Sequence, residues 1–273
     1  MESILTPAVP ARPPAPYIGG KRRLAAEIIK RLASVPHDCY VEPFVGMGGV
    51  FLRRPFRAKS EVINDFSRDV ATLFRILQRH FVPFMDMLKW QVTSRAEFDR
   101  LKMAAPETLT DLERAARFLY LQRTAFGGKV AGRNFGVSLG TGSRFDVNKL
   151  ASLLEDVHER LAGVVIECLP FTKLIATYDR PRTLFYLDPP YWDNEADYGE
   201  GVFGKDDFDR LADQMSRIEG RFLLSLNDQP AVRQIFRGFK IEAVETVYSL
   251  NGRSQSGARE VLITSKSRLK SVF

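Results

Sequence analysis

Cys39-Tyr-Val-Glu-Pro-Phe-Val-Gly-Met-Gly-Gly49 runs from a short apolar strand into a turn of proline and glycine. A strand that ends in a glycine-bearing turn lets the backbone pass close to a ligand beyond the carboxyl edge of a sheet. Further on, Glu61-Val-Ile-Asn-Asp65 reads as a second strand. Its terminal Asp65 follows Gly46 at a spacing suited to a ribose hydroxyl. No Lys-Ser or Lys-Thr follows the glycines, so the turn is not a phosphate-binding P-loop, and the pattern is not a clean G-x-G-x-x-G. Taken alone, the glycines serve an ordinary strand–helix connection equally well.

On either side of this stretch the chain alternates between strand and helix. Leu24, Ala25, Ile28, Ile29 and Leu32 fall on one face of a helix that Pro36 stops. After Asp65, a helix near 67–78 turns Val70, Leu73, Phe74 and Leu77 inward. Val164–Leu169, Leu184–Asp188 and Phe222–Leu226 read as further buried strands, separated by helical patterns over 147–161 and 206–218. This alternation predicts an α/β fold with a mainly parallel sheet covered on both faces. Glu242–Leu250 and Glu260–Ser265 are also strand-like, with a polar loop between them, and predict a closing antiparallel pair. The proline-rich start, 1–16, is expected to be an extended leader with little information about the fold.

Composition narrows the class. The 273 residues carry a formal net charge of +7, with 45% hydrophobic and 27% charged residues, as a folded protein does and a disordered tail or disulfide scaffold does not. No apolar run reaches the roughly 20 residues a membrane-spanning helix needs. The N-terminus lacks the pattern of a secretory signal. Cys39 and Cys168 form no Cys-x-x-Cys, and His37, His80 and His158 are isolated, so neither metal nor disulfide is expected and a cytoplasmic protein is. The stretch 79–149 differs from its surroundings and reads as an insertion. Between Arg114 and Lys149, seven basic residues face Asp146 alone among six glycines. Such a loop suits a nucleic-acid contact and equally a solvated, solubilising segment. Arg53, Arg54, Arg57 and Lys59 read as a solvated face.

Leu184-Phe-Tyr-Leu-Asp-Pro-Pro-Tyr191 carries the most specific chemistry. A buried strand delivers Asp188, two prolines and an aromatic ring to its carboxyl end. The prolines fix their own φ and remove two amide donors, which leaves carbonyl acceptors in a rigid turn. Asp188 and the Pro189 carbonyl can accept from a planar group's NH2 while Tyr191 stacks on its ring. A proline-rich structural turn is the plain alternative.

At this point the chain resembles a known family. Asp188-Pro-Pro-Tyr191, Glu42-Pro-Phe-x-Gly-x-Gly-Gly49 and Tyr17-Ile-Gly-Gly-Lys21 are similar to the signature motifs of Dam-like (class alpha) DNA adenine-N6 methyltransferases, in the family's order. Ile63-Asn-Asp65 with Asp69, Arg117-Phe-Leu-Tyr-Leu-Gln-Arg123 and Arg259-Glu-Val-Leu-Ile-Thr264 extend the similarity over nearly all of 17–265. The resemblance implies a Rossmann-like methyltransferase core of 17–78 and 150–273, with a mainly helical target-recognition insert at 79–149. It implies transfer of a methyl group from S-adenosylmethionine to the N6 amine of a flipped-out adenine in double-stranded DNA, by a monomer without metal or membrane.

Residue by residue, the resemblance places Tyr17, Gly20 and Lys21 in the cofactor pocket. It places Glu42, Phe44, Gly46 and Gly48 around the methionine end, Asp65 on the ribose and Phe171 on the cofactor adenine. Asp188, Pro189, Pro190 and Tyr191 would form the target-base site, with Asp188 also bordering the cofactor. Arg123, Lys129, Arg133, Asn134 and Arg144 would contact DNA. The family usually has Asn at Gln122, Asn-Gly at Gly127-Gly128 and an acid at Pro170, so no target sequence is carried over. An RNA adenine methyltransferase, a cytosine-N4 methyltransferase and a catalytically silent DNA-binding module of the same fold stand as alternatives. A nicotinamide-dependent dehydrogenase is disfavoured by the absent fingerprint.

Overall fold

The computed structural model describes residues 5–21, 23–136, 140, 142–195, 201, 203–246, 249–250, 253–254 and 258–265. In chain order these form β1 (Thr6–Pro7), α1 (Ala25–Ala33), β2 (Cys39–Glu42), β3 (Phe56–Arg57), β4 (Ser60–Asn64) and α2 (Arg68–Arg79). The stretch read as an insertion supplies α3 (Phe81–Lys89), α4 (Arg95–Met103) and α5 (Asp111–Thr124). After it come α6 (Val147–Arg160), β5 (Val165–Glu167), α7 (Phe171–Tyr178), β6 (Thr183–Leu187), α8 (Lys205–Arg217), β7 (Arg221–Asn227) and α9 (Pro230–Ile235). The chain closes with β8 (Lys240–Thr246), the short β9 (Ser249–Leu250) and β10 (Arg253–Ser254), and β11 (Ala258–Thr264).

Seven strands form one sheet in the order β5-β4-β2-β6-β7-β11-β8. From β5 to β7 the pairs are parallel, and β11 runs antiparallel between β7 and β8. The fold is therefore a mostly parallel, Rossmann-like α/β sheet closed by an antiparallel pair. In β6, Thr-Leu-Phe-Tyr-Leu is buried along its whole length, because helices cover both faces. Alternate residues divide between two apolar clusters. Tyr40, Ile63, Leu184 and Tyr186 join α1, α2 and α6, whereas Val41, Val62, Phe185 and Leu187 join α7, α8 and α9. No described helix is long and apolar enough to cross a membrane.

Phe84, Phe98, Phe118, Leu119 and Tyr120 of the insertion belong to the first cluster, beside Ile28, Tyr40 and Phe74. The insertion thus shares the sheet's core, and α5 packs on α2. Its N-terminus is set by a capping box: Thr110 Oγ1 accepts from the Glu113 amide, and the Glu113 carboxylate accepts from the Thr110 amide at 2.9 Å.

Two expectations are corrected. The leader is built into the molecule: β1 pairs with β3, the Ala11 amide donates to the Leu52 carbonyl at 2.8 Å, and Ala11 and Ala15 are buried. The charge run at Arg53–Lys59 is not a uniformly solvated face. Arg54 has no exposure and pairs with buried Glu61, which also takes Arg160 at 2.7 Å. Arg57 donates to the carbonyls of Glu159, Arg160 and Ala162 at the end of α6, where backbone acceptors are otherwise left over.

Candidate active site

A cavity of about 1130 Å³ opens at the carboxyl ends of β2, β4 and β6. The strand order reverses between β2 and β6, the place where open α/β sheets present a crevice. Each of these strands delivers an acid to the wall: Glu42, Asp65 and Asp188.

The glycine turn forms the floor. Both oxygens of Asp65 hold backbone, taking the Gly46 amide at 2.9 Å and the Ser67 amide at 2.8 Å. Gly46 has φ +50°, and a Cβ there would lie 3.0 Å from the Tyr17 ring, so the turn needs glycine twice over. Gly48, at φ +74°, faces the other way: its Cβ would meet Leu52 Cγ at 2.7 Å, and it does not line the cavity. Burial pushes the Asp65 carboxyl up to about 6 against the pull of its two amide donors. Glu42 is 2% exposed, accepts from the Tyr40 hydroxyl at 2.8 Å, and is pushed by burial up to about 8.

Aromatic rings form one end. Phe44, Phe171 and Phe203 meet with centroids 5.6, 5.7 and 5.8 Å apart. Phe66, 47% exposed, joins them on the wall. Pro170 caps α7 and lines the cavity without a carboxylate. Arg12, Pro13, Ala15, Pro16, Tyr17, Gly20 and Lys21 also line the cavity, so the leader is part of the pocket.

Asp188 lies in a chain of polar contacts. Its Oδ1 receives Lys21 Nζ at 2.8 Å and the Ser225 hydroxyl at 3.0 Å, and Ser225 in turn meets the Tyr186 hydroxyl at 3.0 Å. The Lys21 ammonium also lies 3.4 Å from Glu260, donates to the Tyr191 hydroxyl, and sits 4.1 Å from the centroid of that ring. Burial pushes the Asp188 carboxyl up to about 6, with Lys21 opposing. Lys21 thus engages both the acid and the ring assigned by sequence to an incoming NH2-bearing base. Pro190 lines the cavity; Pro189 is buried and Tyr191 half-buried, and neither borders it. Asn227 fastens the next turn by accepting from the Trp192 amide and donating to its carbonyl, both at 3.0 Å.

The basic stretch is less exposed than its composition implies. Arg114 pairs with Asp69 and is buried, as is Arg117, 4.0 Å from the same carboxylate. Lys149 pairs with Asp146 at 3.0 Å. Among the expected DNA contacts, Lys129, Asn134 and Arg144 are exposed. Arg133 is half-buried and donates to Gln122, and Arg123 donates to the Pro14 and Arg144 carbonyls while bordering the cavity. Gln122 itself donates to the carbonyls of Pro16 and Gly128, joining leader and insertion.

Sequence reasoning missed Tyr40, Phe66, Phe203, Ser225 and Arg12. Phe66, directly after the acid of β4, and Tyr40, two residues before Glu42 on β2, carried a local signal. The others reach the site through pairing or packing that spacing does not show.

Comparison with known proteins follows the same outline. The profile of the D12 class N6 adenine-specific DNA methyltransferases matches residues 17–250. A DNA adenine methylase of Haemophilus influenzae is 28% identical over 273 residues, covering 90% of each chain. The Type II methyltransferase M.CviBI of Paramecium bursaria Chlorella virus NC1A is 25% identical, over 84% of this chain and 87% of its own. The Type II methyltransferase M1.LlaDCHI of Lactococcus lactis subsp. cremoris is 24% identical, over 93% and 95%.

Proposed function

The chain belongs to the D12 class N6 adenine-specific DNA methyltransferases, and from that premise we propose that it takes its methyl group from S-adenosylmethionine and delivers it to an adenine turned out of duplex DNA. The observation that carries this reading is that Asp188 shares one cavity with Glu42, Asp65 and an aromatic end wall. That set suits an elongated ligand with a flat base at one end and positive charge at the other. The rings of Phe44, Phe171, Phe203 and Phe66 take the base. Asp65 has accepting capacity left for a ribose hydroxyl. Glu42 and Asp188 face the charged end, near Tyr17, Gly20 and Lys21. When bound, the sulfonium of this cofactor supplies an electrophilic methyl carbon, whose bond pair returns to sulfur.

The remaining work falls to the chain. The adenine amine is a weak nucleophile because its lone pair is delocalised into the ring. Acceptance of its N–H bonds by Asp188 and the Pro189 carbonyl favours the pyramidal form in which the pair can attack. Lys21 must first release Asp188, and Glu260 lies close enough to receive its charge. Stacking on Tyr191 then requires that corner to open. As the N–C bond forms, the amine nitrogen sheds a proton, for which Asp188 is the adjacent base. Holding the reactants in register can account for roughly 7–11 kcal/mol of the barrier. Removing the base from the duplex costs a few kcal/mol, offset by contacts from the insertion at 79–149.

Asp188→Ala should reduce turnover at least about 100-fold, the scale of a lost preorganised acceptor, while duplex binding stays close to normal. A variant that still turns over at the wild-type rate would remove Asp188 from this role.

A further inference from the structure

Tyr40 and Glu42 stand two residues apart on β2 and therefore share one face of the sheet. The Tyr40 hydroxyl donates to Glu42 Oε2 at 2.8 Å, with the tyrosine wholly buried. Behind the ring, the Arg54 guanidinium lies 3.5 Å from the centroid and is itself held by Glu61. The ring is thus pinned between a packed cation and the carboxyl, and its hydroxyl has a fixed aim. The charged and titratable groups around Glu42 are Tyr40 on its own strand, Arg54 beyond the glycine turn, Arg160 from α6, and Tyr186 and Asp188 from β6. Tyr40, Arg54 and Arg160 favour the carboxylate. Burial, the largest influence, and Asp188 favour the neutral acid and prevail, leaving Glu42 at about 8. Burial raises Tyr40 well above its ordinary value, so it remains a donor. At neutral pH the free protein therefore holds a proton on Glu42.

We propose that Tyr40 is a positioning residue for the methyl donor, acting through Glu42, and that Glu42 gives up its proton to solvent when the positively charged donor enters. This rests on the assignment of S-adenosylmethionine above. A positive charge brought beside a buried acid stabilises its ionised form, so binding and proton release are linked. The Tyr40 hydroxyl sets how readily the proton leaves.

The test is calorimetric titration of the full chain with S-adenosylmethionine from about pH 6 to about pH 9, in buffers of different ionisation enthalpy, which count the protons released. Comparison with Glu42→Gln cancels the donor's own titration. The wild type should release protons near neutrality that Glu42→Gln does not. Its affinity, relative to that variant, should climb by up to about tenfold per pH unit below about pH 8. Tyr40→Phe should weaken binding at pH 7 by about tenfold or more, the worth of a hydrogen bond to a charged group, and move the rise to higher pH. In a Glu42→Gln background the same change should have little effect.

Equal proton counts in the wild type and Glu42→Gln would overturn the proposal, as would an equal loss from Tyr40→Phe in both backgrounds. If Tyr40→Phe does not fold, the proton counts decide. Failure of the wild type to bind S-adenosylmethionine at any pH would overturn the donor assignment, and the proposal with it.

Discussion

Arg54 carries a full charge with no solvent exposure, and Glu61 is what makes that tolerable. Its guanidinium faces the ring of Tyr40, while Arg160 meets the same carboxylate from α6. Removing the acid would strand two buried cations. Glu61→Gln should therefore cost about 3–5 kcal/mol, read as a lower midpoint in denaturant unfolding at unchanged slope. A change under about 0.5 kcal/mol, the range of an ordinary surface substitution, would contradict this account. The sequence hid the arrangement, since a run of arginines is more often solvated and its partner here sits beyond β3, on β4. The position of Asp188 on the cavity wall was legible by contrast, because a buried strand ending in Asp-Pro-Pro-Tyr sets the acid at the carboxyl edge of the sheet. Ser225 was not: it reaches Asp188 only because β7 pairs beside β6.

Among elements, the central strands were the most readable, because burial on both faces shows as continuous apolar runs at Val62–Ile63, Leu184–Leu187 and Phe222–Leu224. The leader was misjudged because proline content speaks to local conformation and not to packing. Its residues Arg12, Pro13, Ala15 and Pro16 wall the cavity, and its Pro14 and Pro16 carbonyls accept from Arg123 and Gln122 of α5. Deletion of residues 1–16 should thus raise the dissociation constant for S-adenosylmethionine by about tenfold or more, as expected when a pocket loses one wall. Calorimetry would check it, and an unchanged constant would free the leader of this role. The basic loop divides by exposure. Lys129→Ala and Arg144→Ala should each weaken duplex binding and reduce the slope of log K against log salt by about 0.9 per lost phosphate contact. Slopes equal to the wild type's would place the DNA elsewhere.

Across the whole molecule, three acids gathered at one sheet edge couple stability to pH. Glu42 rises from 4.5 to about 8, and Asp65 and Asp188 from 3.8 to about 6. The folded chain therefore binds more protons at these sites than the unfolded one. Their contribution is fully present below the unfolded values and is lost as pH rises through about 6 and then about 8. Thermal unfolding of the ligand-free protein should show a melting temperature that falls across that window, with a smaller fall in Glu42→Gln. The insertion blurs the expected division of the chain, since Phe118 and Tyr120 lie in the same apolar cluster as Tyr40 and Phe74. Composition marked only the basic segment 114–149 within it, and it could not show which face its apolar residues would cover.

The role proposed for Asp188 is to direct a methyl group to the exocyclic amine of adenine in DNA. Incubation of the protein with duplex DNA and S-adenosylmethionine, digestion to nucleosides and mass analysis tests it most directly. N6-methyldeoxyadenosine is the modified nucleoside expected with the wild type, and none is expected with Asp188→Ala. Methyl groups found on cytosine N4, or methylated adenine persisting in the variant, would contradict it.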